Sequence, residues 1–175
     1  QQLEDLDQEI EEMLTAIPRH KRILITSHDA FRYFGQRYGV RVEAVLGTST
    51  DADVQTSDIR RLNRVLQESE VPAVFIESTI NPKLLQVLAK DNQVVIGGSL
   101  FADTLGEKDG PGGTYLGMLA HNARTISEGL SRDRTQHEHE VEEESSAQQY
   151  TLFGMILLLM LGSFFFMVYK LNAGA

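Results

Sequence analysis

Between residues 22 and 130, short apolar runs alternate with stretches whose apolar residues fall three and four apart, and this alternation limits the possible folds more than any other feature. RILIT (Arg22 to Thr26), VRVEAVLG (Val40 to Gly47), AVFIE (Ala73 to Glu77) and QVVIG (Gln93 to Gly97) have the length and β-branched content of buried strands. The intervening sequence predicts helices over Ala30 to Tyr38, stopped by Gly39, and over about Ser57 to Ser69, Pro82 to Asp91 and Thr114 to Leu130. Ahead of the first strand, Leu3, Leu6, Ile10, Met13, Leu14 and Ile17 recur at helical intervals until Pro18 ends the pattern. Strands joined through helices of about ten residues run parallel, and their crossovers are right-handed. The expected fold class is therefore α/β, a four-stranded parallel sheet flanked by helices on both faces.

Composition changes sharply after residue 130. Residues 131 to 149 are rich in charged and polar side chains and have little with which to build a core, so they read as an acidic linker. The run His137, Glu138, His139, Glu140, Glu142, Glu143, Glu144 within it can capture cations weakly, but a solvated spacer is the favoured reading. From Ser145 to Tyr169 there is no charged side chain, and TLFGMILLLMLGSFFFMVY is apolar on every helical face. At about 1.5 Å per residue that run reaches roughly 37 Å, enough to cross a hydrocarbon layer of about 30 Å. A transmembrane helix is expected over residues 150 to 169, with Tyr150 and Tyr169 at headgroup level and a short tail at 170 to 175. Lys170 beyond the span and the acidic residues before it weakly favour a folded domain on the extracytoplasmic side. Because the sequence starts at Gln1 with a helical pattern already under way, a processed or truncated piece is expected.

Charge and residue content exclude several kinds of chemistry. Lys and Arg total 16 against 25 Asp and Glu, a net charge of -9, which argues against a nucleic-acid partner. With no cysteine in the chain, only His, Asp and Glu are left as side-chain ligands for a cation. Ligands of open parallel sheets bind beyond the carboxyl ends of the strands. Those ends carry Ser27-His28-Asp29, Gly47-Thr48-Ser49-Thr50, Glu77-Ser78-Thr79 and the stretch from Gly97 to Asp103. Ser27, His28 and Asp29 cannot form a hydrolase relay, because consecutive side chains project in different directions. No nucleophile elbow, phosphate-binding loop with its lysine, or H-E-x-x-H helix is present. The glycine-rich GEKDGPGGT (Gly106 to Thr114) reads as a loop ending in a helix cap at Thr114. His20 and His121 fit surface or capping roles, whereas His28 can be either a satisfied structural histidine or a ligand.

Three segments resemble a known family. SHDAFRYFGQRYGV (Ser27 to Val40), AVFIESTINPKL (Ala73 to Leu84), and IGGSLFADTLGE with GGTYLGMLAHNARTISEGL (within Ile96 to Leu130) are similar to the carboxyl-terminal lobe of the TroA-like, cluster A-I, zinc- and manganese-binding receptors of ABC importers. The resemblance covers about residues 1 to 130. It implies a metal site between two lobes joined by one long helix, with two ligands from each lobe. By motif the third ligand falls on His28 and the fourth on Asp103, and residues 1 to 17 correspond to the end of the connecting helix. Glu77 is a weaker candidate for supporting a ligand from behind, with a structural salt bridge as the favoured alternative.

The resemblance implies a binding protein rather than an enzyme: an extracytoplasmic receptor carrying Zn²⁺ or Mn²⁺ as transported ligand to an ABC permease in the same membrane. Residues 18 to 130 would be its metal-binding carboxyl-terminal lobe, anchored as a single-pass protein on the periplasmic or cell-surface side. A missing amino-terminal lobe would supply two more histidine ligands. Imidazole with carboxylate accepts zinc or manganese, and zinc is preferred unless geometry opposes it. The competing expectation is a membrane-tethered, adhesin-like interaction module whose metal site is vestigial.

Overall fold

In the computed structural model, which describes residues 1–47 and 54–133, all four strand-forming runs become strands. They are β1 (Ile23–Thr26), β2 (Arg41–Ala44), β3 (Ala73–Glu77) and β4 (Val95–Leu100). Five helices accompany them: α1 (Gln2–Thr15), α2 (Arg32–Tyr38), α3 (Thr56–Glu68), α4 (Lys83–Asp91) and α5 (Tyr115–Leu130). The described residues fall within one compact unit, Gln1–Arg134. Among them no helix is long and apolar enough to cross a membrane. The expected linker, span and tail at 131–149, 150–169 and 170–175 lie outside the described residues from 134 onward.

The strands differ from a single four-stranded ladder. β1 pairs in parallel with β2, Ile23 opposite Arg41, and β3 in parallel with β4, Ala73 opposite Val95, giving two two-stranded sheets. β1 runs beside β3 without a ladder between them among the described residues. At the carboxyl end of this seam the reason is visible: the N–H groups of Ser27 and His28 donate to the Glu77 side chain instead of to a neighbouring backbone. The chain leaves β1 for β2 on one side and β3 for β4 on the other, so the seam is where the strand order reverses. Crevices that bind ligands in parallel α/β folds open at such a point.

β2 is shorter than expected, Arg41–Ala44, and three further boundaries differ from the sequence expectation for local reasons. The last strand begins at Val95 rather than Gln93, because Gln93 takes the left-handed conformation, φ 55°, that closes α4, and Val94 N–H bonds back to Ala89. It extends to Leu100 through an irregularity in register: Val74 faces Ile96 but Phe75 faces Gly98, so Gly97 is an extra residue. A Cβ on Gly97 would lie 2.6 Å from the Phe75 ring, and one on Gly129 of α5 equally close, so both glycines make room for one buried aromatic. Without the extra residue, the side chains beyond it would point to opposite faces. Helix α2 begins at Arg32 instead of Ala30 because Ala30 N–H turns back to the His28 carbonyl, 3.0 Å away.

The core is continuous. Ile10 and Leu14 of α1, Leu24 and Ile25 of β1, Leu62 and Leu66 of α3, Phe75 of β3 and Ile126 and Leu130 of α5 are all buried. α1 packs against α5 and α2. Against α2 the contact is polar: Asp7 accepts hydrogen bonds from Arg37 and, at 2.8 Å, from the Tyr38 hydroxyl, while the Arg37 guanidinium lies over the Tyr38 ring, 5.2 Å from its centre. Hydrogen bonds from Arg37 and then Tyr38 hold the Asp7 carboxyl below the usual carboxylate range. Burial, and then the hydrogen bond to Asp7, push the Tyr38 phenol up to about 12. Because an acid whose folded pKa is raised favours the protonated native state, this contribution is complete below pH 10.0 and is lost as pH rises toward about 12. Alkaline titration of the tyrosine absorbance should therefore show a phenol ionising near pH about 12, and Tyr38→Phe should remove that step.

Candidate metal centre

The loop after β1 is pinned from several directions before any ligand enters. Leu46 N–H donates to the Ser27 carbonyl at 2.9 Å, Asp29 N–H to Gly47 at 3.2 Å, and the Thr26 hydroxyl to the His28 carbonyl at 2.9 Å. His28 itself is 2% exposed, and Glu77, the last residue of β3, is equally buried at 2%. Glu77 Oε1 receives the His28 N–H and the ring Nδ1, both at 3.0 Å, and Oε2 receives the Ser27 N–H at 2.9 Å. Three donors converge on a group that, as a carboxylate, can only accept, so its charge is compensated without bulk water. Against a Glu77 carboxylate, which only accepts, Nδ1 is the donor of this pair, and Nε2 is left to face the other way.

Nε2 faces the second candidate. Asp103 Oδ2 lies 3.0 Å from it, although the two residues are 75 positions apart. Asp103 is in the left-handed conformation, φ 62°, which Asp tolerates better than most residues, and its side chain is 61% accessible. Nε2 and Oδ2 are both acceptors unless one of them carries a proton. Two acceptors at this distance require a proton or a cation between them. Zinc bonds of about 2.0–2.2 Å meeting at a tetrahedral angle would set such atoms roughly 3.3–3.5 Å apart, so small adjustments would admit the ion. A nitrogen and an oxygen donor also suit manganese. The shell is incomplete, since Glu77 is spent behind the ring and no group of three or more His, Asp or Glu among the described residues is arranged to hold a metal.

Other sequence candidates lie elsewhere. Asp29 turns to Arg32, whose Nε donates at 3.0 Å, and the Ser27 hydroxyl is buried without a hydrogen-bond partner, so the three consecutive residues make no relay. Thr48, Ser49 and Thr50 lie outside the described residues. Thr114 caps α5 by accepting from Gly117 N–H at 3.0 Å. His20 is at the surface, as expected, but pairs with Glu70 at 3.1 Å, a partner too distant in sequence to be found by spacing. His121 touches the Ser99 carbonyl at 3.1 Å. Two contributors escaped sequence reasoning: Thr26, and Asn122, whose carboxamide makes two 2.9 Å bonds to the backbone of Phe101. Asn122 stands within GGTYLGMLAHNARTISEGL, one of the segments that carry the family resemblance, but nothing in that segment indicated what its side chain holds.

Residues 1–129 match the family model described as the periplasmic zinc-uptake complex component A. The chain belongs to this family. Over 133 residues it is 40% identical to the manganese-binding lipoprotein MntA of Bacillus subtilis, covering 73% of this chain and 44% of the relative. It is 38% identical over 137 residues to the zinc-binding protein TroA of Treponema pallidum, covering 75% of this chain and 44% of TroA. The solved structure of the periplasmic zinc-binding protein TroA from Treponema pallidum superposes with a TM-score of 0.71, covering 75% of this chain and 50% of that one. The chain thus spans about half the length of these zinc-uptake-family relatives, both named for binding a metal rather than for a reaction.

Glu77 is the buried pivot of the site. Glu77→Gln keeps the shape but turns an NH₂ group toward backbone or ring N–H donors, leaving buried donors unpaired. Urea unfolding should show a loss of about 1–3 kcal/mol. The ring ¹⁵N signal of His28 Nδ1 should move, because the acceptor facing it has changed.

Proposed function

We propose that this chain is the carboxyl-terminal half of an extracytoplasmic receptor that binds Zn²⁺ or Mn²⁺ and delivers it to an ABC permease, with His28 and Asp103 as metal ligands. The observation that carries this reading is the His28 ring set between two carboxylates, its Nε2 3.0 Å from Asp103. Glu77 supports it from behind by fixing the ring's orientation. In this reading α1 is the end of the helix that joins two lobes, residues 18–130 are the metal-binding lobe, and the absent lobe contributes two histidines. Zinc is favoured over manganese at a nitrogen–oxygen site by intrinsic affinity. Family membership and the names of MntA and TroA support the metal class.

Membrane attachment rests on the uncharged run 145–169, with 150–169 as its spanning part and residues 131–149 as the acidic spacer. A receptor tethered in this way acts on a permease in the same membrane, with its folded domain on the periplasmic or cell-surface side. Protease added to intact cells should cleave that domain, and protection until the membrane is broken would reverse the orientation.

Two protein ligands leave a tetrahedral zinc at least two positions filled by water. Zinc titration of the full chain in detergent should accordingly give weak binding that His28→Ala or Asp103→Ala removes, and co-assembly with the amino-terminal lobe of the parent protein should tighten it. Tight one-to-one binding that survives both substitutions would sink the assignment.

A further inference from the structure

Asp103 is exposed and lies beyond the end of its strand, yet its carboxylate meets a buried ring to within 3.0 Å. Something other than the sheet must set its position. β4 ends at Leu100, and the following residue, Phe101, is held at both backbone polar groups by one side chain: Asn122 Oδ1 accepts the Phe101 N–H and Asn122 Nδ2 donates to the Phe101 carbonyl, each at 2.9 Å. Asn122 is 3% exposed on α5, the helix that packs along β4 and against α1.

The Phe101 ring is fixed as well. Its centre lies 5.0 Å from that of His121, and a Cβ on Gly106 or Gly112 would come within 2.8 Å of it, so both glycines make room for the ring. Gly106 N–H closes the loop onto the Gly112 carbonyl at 2.9 Å. From this anchored residue the chain passes through buried Ala102 directly to Asp103 in its left-handed conformation.

We propose that Asn122 is a positioning residue for the site: by gripping the Phe101 backbone, it sets where Asp103 presents its carboxylate to His28. The chemistry is specific to a carboxamide of this length. Ala, or a Leu of similar shape, would leave both Phe101 groups unpaired, Asp would set an anion against a carbonyl oxygen, and Gln adds a methylene that Asn122's buried setting cannot absorb without a shift. Residues 96 to 103 and 114 to 130 thus meet at one clamp, with Phe101 in one segment and Asn122 in the other. The Asn122 geometry is independent of any metal, and only the affinity arm of the test rests on the proposed ligand roles of His28 and Asp103.

The ring ¹⁵N signals of His28 in the full, metal-free chain read the contact directly, and Asp103→Ala calibrates its loss. In folded Asn122→Ala and Asn122→Asp the Nε2 signal should move toward the Asp103→Ala position while Nδ1, held by Glu77, stays in place. Zn²⁺ titration followed on the same signals should weaken by about tenfold to a hundredfold. A merely structural role would lower the unfolding midpoint of both variants and leave the Nε2 signal of the folded protein unchanged. An Nε2 signal unmoved by both Asn122 variants, or by Asp103→Ala itself, overturns the proposal. Should neither variant fold, hydrogen exchange in the unaltered chain decides it: the Phe101 amide should exchange as slowly as those of β4, and exchange at open-loop rates overturns the clamp. If zinc leaves the wild-type His28 signals unmoved, the ligand reading fails, and the positioning role is still judged by the metal-free spectra.

Discussion

A buried carboxylate at the seam between two sheets organises this domain. Glu77 ends β3 and receives the first two backbone N–H groups beyond β1, tying together the ends of strands that share no ladder. The same oxygen that takes the His28 N–H takes the ring Nδ1. One side chain therefore has its own desolvation compensated, joins the two halves of the fold and directs His28 Nε2 toward Asp103. Removing its charge would affect all three at once, because in a low-dielectric interior each of the three donors depends on the same acceptor.

The second half of the site is built differently. Its foundation is the irregularity at Gly97, where the space a side chain would occupy is taken by Phe75, and which sets the faces of Ser99 and Leu100. Beyond the strand, the chain is carried by α5 through Asn122 and by the packing of the Phe101 ring, so Asp103 hangs from a helix rather than from the sheet. His28 is buried while the Asp103 side chain is exposed.

Most of the architecture was legible in the residues. β3 could be read from AVFIE to the residue, since a short apolar run bounded by Pro72 and Ser78 has few other interpretations. The helix cap at Thr114 and the stop at Gly39, which takes the left-handed conformation, also followed from local chemistry. Gln93 misled because a left-handed residue other than glycine carries little local signal. The family motifs pointed to His28 and Asp103 without indicating how they are held.

The sequence by itself determined the order of strands and helices, their parallel sense and the residue types available for a cation, because these depend on periodicity, propensity and composition within short windows. Only the tertiary structure decided that β1 and β3 lie side by side without a ladder, that Glu77 spends its charge on His28 rather than on a distant cation, and that Asn122 reaches back to Phe101. Those contacts join residues 49, 50 and 21 positions apart. They are set by which helix crosses which strand and by where buried donors find acceptors, and spacing along the chain carries no record of either.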